Sequence, residues 1–182
     1  MKNLLIIAAI AFSTPAVALA AGVPSGVAGA GLVENFENLP SQPPTLSLDL
    51  PSMAIDSYYN GNPEGQRPML AIESGPASSM NGHHLVVRTE YQPVSQWHDG
   101  GFWLTPKGPA SGIHFKVEVN RPKKQRMTLA CQSAEAFDTV DVWLPDRGEV
   151  TAHCPSSMQL SFIQFFAVGE DLTFRFDDIE LK

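Results

Sequence analysis

A long succession of short apolar-alternating runs, each cut off by turn-forming residues, limits most what this chain can fold into. Ile113, Phe115, Val117 and Val119 alternate with His114, Lys116 and Glu118, the period-two pattern of a strand with one buried and one wet face. Comparable runs cover Thr45–Leu50, Met53–Tyr59, Met69–Glu73, His84–Tyr91, Gly101–Thr105, Met127–Gln132, Thr139–Leu144, Val150–Cys154 and Met158–Val168. Between them stand Asn60-Gly61-Asn62-Pro63, Asn81-Gly82, Asp99-Gly100-Gly101 and Pro145-Asp146-Arg147-Gly148, residues that fix φ or tolerate left-handed backbone and so make turns. Beyond the first twenty residues no stretch keeps apolar side chains at i, i+3, i+4 and i+7 for three turns. Helices are therefore few and short, and the expectation is an all-β antiparallel sandwich or barrel.

The closing run, Leu172–Lys182, carries the strongest pattern. Leu172, Phe174 and Phe176 alternate with Thr173, Arg175 and Asp177, and then Ile179 and Leu181 continue on the opposite parity. A slip of one residue turns every side chain to the wrong face, so the backbone must bulge at Asp177-Asp178. Asp178 falls on the inward parity of Phe174 and Phe176, where an uncompensated carboxylate is costly. A cation or a hydrogen-bond donor would compensate it: one reading is a calcium site shared by Asp178 and Glu37, calcium being suited to an all-oxygen set, and the other is that the double aspartate is only a bulged, solvent-facing edge. Gln159–Ala167 differs from the other runs because Leu160, Phe162, Ile163, Phe165 and Phe166 occupy both parities. That pattern predicts a central strand covered on both sides or one lying across the middle of a sandwich.

The N-terminus reads as a secretory signal over residues 1–20, with Lys2, an apolar run Leu4–Phe12 and a small-residue end, Ala18-Leu19-Ala20. Its apolar core is too short to anchor in a bilayer, so export to the periplasm or outside is expected, without a membrane anchor. Residues 21–33 are Gly, Ala, Val, Pro and Ser with little else, a flexible leader, and residues 34–182 make one domain. The net charge of −7 becomes one unit more negative when Lys2 leaves with the signal, which disfavours nucleic acid and anionic lipid as partners. The basic group Arg121, Lys123, Lys124 and Arg126 lies between two strand runs and reads as a solvated hairpin turn. Cys131 and Cys154 both belong to the exported part, and their spacing predicts a disulfide between neighbouring strands.

Catalytic signatures such as GxSxG, HExxH and phosphate-binding glycine loops are absent from the sequence. His83 and His84 are adjacent in a strand and point to opposite faces, so they cannot serve one metal together. A polysaccharide lyase is one alternative reading, because His84, Arg88 and Glu90 share a strand parity beside Tyr91, as a base and a neutraliser in a groove would. The aromatic residues suggest different chemistry. Val140, Val142 and Leu144 form the inward set of their run, which turns Trp143 outward with Asp141 and Thr139, and an outward indole is a stacking surface for a pyranose. Trp97 and Trp103 flank the Asp99-Gly100-Gly101 turn, and Tyr59 precedes another. These rings are the expected ligand contacts.

The frame of an early Phe36-Glu37, a run of strands and a terminal Phe176-Asp177-Asp178-Ile179-Glu180-Leu181 resembles bacterial jelly-roll carbohydrate-binding modules of the galactose-binding-like class. The resemblance implies a single jelly-roll sandwich, a structural calcium joining the chain ends, and aromatic residues that grip sugar. The functional expectation is a non-catalytic exported protein that binds a glycan or polysaccharide. A structural or adhesive surface protein that binds another protein is the alternative.

Overall fold

The structure, a computed structural model, describes residues 33–60, 68–75, 80, 82–89, 99–120, 124–166 and 171–182. Among them the strands are β1 (Val33–Glu34), β2 (Gln42–Thr45), β3 (Ser47–Asp49), β4 (Met53–Asn60), β5 (Met69–Ser74), β6 (His83–Thr89) and β7 (Asp99–Pro106). They continue with β8 (Gly112–Val119), β9 (Gln125–Gln132), β10 (Phe137–Leu144), β11 (Arg147–His153), β12 (Gln159–Phe166) and β13 (Leu172–Leu181). One sheet has the order β11-β8-β13-β6-β5-β2, with β1 also on β13; the other has the order β10-β9-β12-β7-β4-β3. Neighbours are antiparallel throughout. From β6 onward the chain changes sheet at every connection except β9 to β10, the winding of a jelly roll. We call the sheets A and B in that order.

The inward sets pack face to face. Phe115 on β8, Phe174 and Phe176 on β13, Phe102 on β7 and Phe165 on β12 are all buried. Phe102 stacks on Phe165 with ring centroids 4.5 Å apart, while Phe176 meets Phe102, Phe115 and Phe165 edge to face at 5.2–5.6 Å. Each such ring contributes roughly 1.5–3 kcal/mol by burial, and the offset and edge-on contacts suit the aromatic quadrupole. The core therefore sits where alternation in the sequence placed it.

The phase slip in β13 is a bulge. Asp177 pairs with Lys116 and Glu180 with His114, so β13 spends three steps where β8 spends two, and Asp178 takes φ 49°. The bulge also divides the other edge of β13: Leu172–Phe176 pairs with β6, whereas Ile179 and Glu180 pair with β1. Glu34 of β1 then reaches sheet B, accepting bonds from the Ser52 amide at 3.0 Å and hydroxyl at 2.7 Å. The first and last strands are thus joined by backbone pairing.

Three expectations are corrected. The extra residue places Asp177, not Asp178, in the protein: Asp177 is buried, while Asp178 is part-exposed and its Oδ2 lies 2.6 Å from Lys116 Nζ. The disulfide between Cys131 and Cys154 forms, but it does not join neighbours in one sheet, because Cys131 lies on β9 of sheet B and Cys154 follows β11 of sheet A. It ties the two layers together. Likewise β8 and β9 belong to different sheets and do not form a hairpin; of the basic group, Arg121 and Lys123 lie outside the described residues and Arg126 is on β9. The proline-containing Gln42-Pro43-Pro44-Thr45 is also a strand. It lies at the end of sheet A and, among the described residues, pairs only with β5, at Gln42 and Thr45, and an edge is where proline's missing N–H is tolerated.

Candidate functional site

The outer face of sheet B is built from the parity that the core does not use. On β4, Met53 and Ile55 point in and Asp56 and Tyr58 point out; on β7, Phe102 and Leu104 point in and Trp103 points out. β12 repeats the rule after a register shift between Leu160 and Phe162, which leaves Ile163 and Phe165 buried and Phe162, Gln164 and Phe166 half-buried on the outer face. This corrects the reading of β12 as covered on both sides. Its second apolar parity is part of an open surface.

Strand register aligns these residues. Asp141, Thr128, Gln164, Trp103, Asp56 and Ser47 form one cross-strand row that traverses the whole sheet from β10 to β3. The neighbouring row runs Trp143, Arg126, Phe166, Gly101, Tyr58; Trp143 pairs with Arg126, while Gly101 pairs with both Phe166 and Tyr58. Rings from adjacent rows meet diagonally. Trp103 stacks on Phe162 at 5.4 Å and 18°, and Tyr58 meets Trp103 edge-on at 5.3 Å. The result is a band Tyr58–Trp103–Phe162 across β4, β7 and β12, in which Trp103 keeps 39% of its surface exposed.

Polar groups border the band. The Gln164 amide donates to the Tyr58 hydroxyl at 2.6 Å, and the Thr128 hydroxyl donates to Asp141 at 2.5 Å. Arg126 donates to Asp141 at 3.1 Å and its Cζ lies 4.4 Å from the centre of the Phe166 ring, a cation–π arrangement. Gly101 in the second row permits a close approach of β12, because a Cβ there would collide with the Phe165 carbonyl oxygen. Flat rings beside fixed donors and acceptors form a surface that takes an apolar face and a hydroxylated edge of the same molecule.

Of the expected ring contacts, Trp103 and Trp143 lie on this face. Trp143 stands at the edge on β10, 61% exposed. Trp97 lies outside the described residues. So does the side chain of Tyr59; its neighbour Tyr58 is the tyrosine whose ring lies beside Trp103. Sequence reasoning missed Tyr58, Phe162, Phe166 and Arg126, and the only signal for two of them was the aromatic run on both parities of β12.

The outer face of sheet A has different chemistry. Arg88 binds both carboxylate oxygens of Glu73, which lowers the Glu73 pKa and raises that of Arg88. Glu118 lies between Arg147 at 3.4 Å and Arg175 at 3.8 Å. His84 is buried, and burial pushes its pKa down so that the neutral ring is favoured. Of the lyase constellation, Glu90 and Tyr91 lie outside the described residues, Arg88 is engaged by Glu73, and His84 is enclosed.

At the β13 bulge, burial raises the Asp177 pKa to about 6, with Asp178 and Glu37 adding like charge and the Asp178 amide and Lys116 opposing them. Phe36, just before Glu37, has φ 59°. Among the described residues no three His, Cys, Asp or Glu side chains form a metal-holding group. Asp177 and Glu37 supply only two carboxylates, so a hard cation there would need main-chain carbonyls and water to complete its shell.

Neither a protein-family model nor a curated protein sequence matches the chain. Among solved structures, it is similar to the enzymatically active domain of tailspike protein 4 of bacteriophage CBA120, with TM-score 0.47 and 9% identity. The match covers 80% of this chain, which spans only 20% of that one. It is also similar to a family 29 carbohydrate-binding module complexed with mannohexaose, with TM-score 0.42, 10% identity and 70% and 79% of the two chains covered. The family 11 carbohydrate-binding module of a Clostridium thermocellum cellulosomal cellulase gives TM-score 0.38 at 12% identity, covering 73% and 88%.

Proposed function

We propose that the chain is a non-catalytic, exported carbohydrate-binding protein that holds a glycan on the outer face of sheet B. The observation that supports this reading is the Tyr58–Trp103–Phe162 band beside Gln164 and Asp56. A pyranose ring places its C–H face on an indole and its hydroxyls against neighbouring amides and carboxylates, the two kinds of group that alternate here. The disulfide suits an oxidising compartment, consistent with the signal-like N-terminus. Titrating the protein with soluble neutral polysaccharides, with Trp103→Ala as the control, tests the reading. Binding lost in Trp103→Ala with an unchanged melting temperature supports it, and binding indifferent to Trp103 overturns it.

A structural calcium is part of the same proposal, with Asp177 replacing Asp178 as the carboxylate on β13 and Glu37 as its partner. Support comes from a buried carboxylate, a second one near enough to act on it, and left-handed backbone at Phe36 and Asp178. Asp177 is preferred to Asp178 here because the Asp178 Oδ2 already contacts Lys116 Nζ at 2.6 Å. Calcium at a hundredfold excess over its dissociation constant would stabilise the fold by about 2.7 kcal/mol. Equal melting temperatures in chelator and in millimolar calcium would remove the site.

A further inference from the structure

We propose that the glycan site continues across the strands to the sheet edge at Trp143, so that it takes an uncharged chain longer than a disaccharide and discriminates against acidic ones. This rests on the reading of the face as a glycan site. Trp103 and Trp143 lie three strand steps apart in the order β10-β9-β12-β7, roughly 14 Å at about 4.8 Å per step. One sugar cannot cover both indoles. The floor between them is composed of Arg126, Thr128, Gln164 and Phe166, so donors and acceptors for hydroxyl groups continue without a break from one ring to the other.

Charge decides what kind of chain fits. Arg126 lies on Phe166 and is bonded to Asp141, so its charge is already offset on the protein. Asp141 in turn accepts from Thr128, and Asp56, beside Trp103, is exposed. A uronate or sulfate laid on this row would meet two carboxylates and a guanidinium already engaged by one of them. An uncharged pyranose meets acceptors for its hydroxyls.

Calorimetric titration of the whole chain with mannohexaose, cellohexaose, their disaccharides and hexagalacturonate tests the proposal. Trp143→Ala is expected to weaken neutral hexaose binding about tenfold while disaccharide affinity stays within twofold, and Trp143→Phe to recover part of the loss. Trp103→Ala should weaken both lengths. Circular dichroism and melting of each variant establish that it is folded. If Trp143→Ala binds hexaose as the parent does while Trp103→Ala does not, the extension is wrong and the primary site stands. Hexagalacturonate bound as tightly as the neutral hexaoses overturns the charge selection. If none of the sugars binds the parent, or Trp103→Ala is without effect, both the extension and the underlying reading fail.

Discussion

The two outer faces of the sandwich come from the same kind of sequence and end in opposite chemistry. On sheet A the outward positions of β5, β6, β8 and β13 pair off as Glu73 with Arg88, Arg175 with Glu118 and Lys116 with Asp178, around buried Ala71, Val86 and His84. On sheet B the outward positions carry rings that contact each other but keep part of their surface open. A period-two pattern establishes only that a residue points away from the core. What it meets there depends on the neighbouring strands, and those are set by topology. Sheet A has satisfied its outer groups internally, whereas sheet B has left stacking surface for something else.

The largest expected effect comes from uncoupling the two layers. Replacing both Cys131 and Cys154 with Ser should cost about 3 kcal/mol by the chain-entropy estimate for a loop of this size. Chemical denaturation reads the loss, and glycan affinity well below the melting temperature should survive it if the sheet B face is self-contained. Next is Trp103→Ala, expected to cost about 2 kcal/mol of binding, roughly a thirtyfold loss by titration. The melting temperature should stay within about 2 °C, because the indole is not part of the core. The same loss of binding after a change on sheet A would erase the contrast between the faces.

A smaller effect tests the buried end of sheet A. The Asp177 pKa is raised from 3.8 to about 6, chiefly by burial, so the folded state binds its proton more tightly than the unfolded state. Stability from this group is complete below the unfolded value and is lost as pH rises through about 6. In chelator, Asp177→Asn should therefore melt higher than the parent at pH 7.5, by on the order of 1–2 kcal/mol, and match it near pH 3.5. A variant that melts lower at pH 7.5 would mean that the ionised carboxylate is stabilising. Smallest of all, Glu73→Gln breaks a half-exposed ion pair and should cost about 0.5–1 kcal/mol by denaturation. Glycan affinity should not change.

Much of this was legible in the residues because alternation is a direct projection of the pleat. The buried set of β8, the outward Trp143 and the bulge at Asp177-Asp178 follow from parity alone. Parity across a bulge cannot say which of two aspartates the extra residue turns inward, and that depends on the left-handed φ of Asp178 and the reach of Lys116. Nor can it say which strands are neighbours. Phe162 meets Trp103 because β12 lies beside β7, some sixty residues away in sequence. The same limit made Cys131 and Cys154 look like partners within a sheet, when the pairing that joins them runs through the thickness of the domain.

That crossing bond has a mechanical meaning. If the proposed glycan on the outer face of sheet B is a polymer, tension on it enters through β12, β7 and β10. β9, which holds Cys131, lies between β12 and β10 and is hydrogen-bonded to both. Apolar contacts between facing sheets are non-directional and resist peeling weakly, one side chain at a time. A covalent link from β9 to the end of β11 carries tension from the ligand-bearing layer directly into the opposite one, so the sandwich is braced against separation at the edge nearest Trp143.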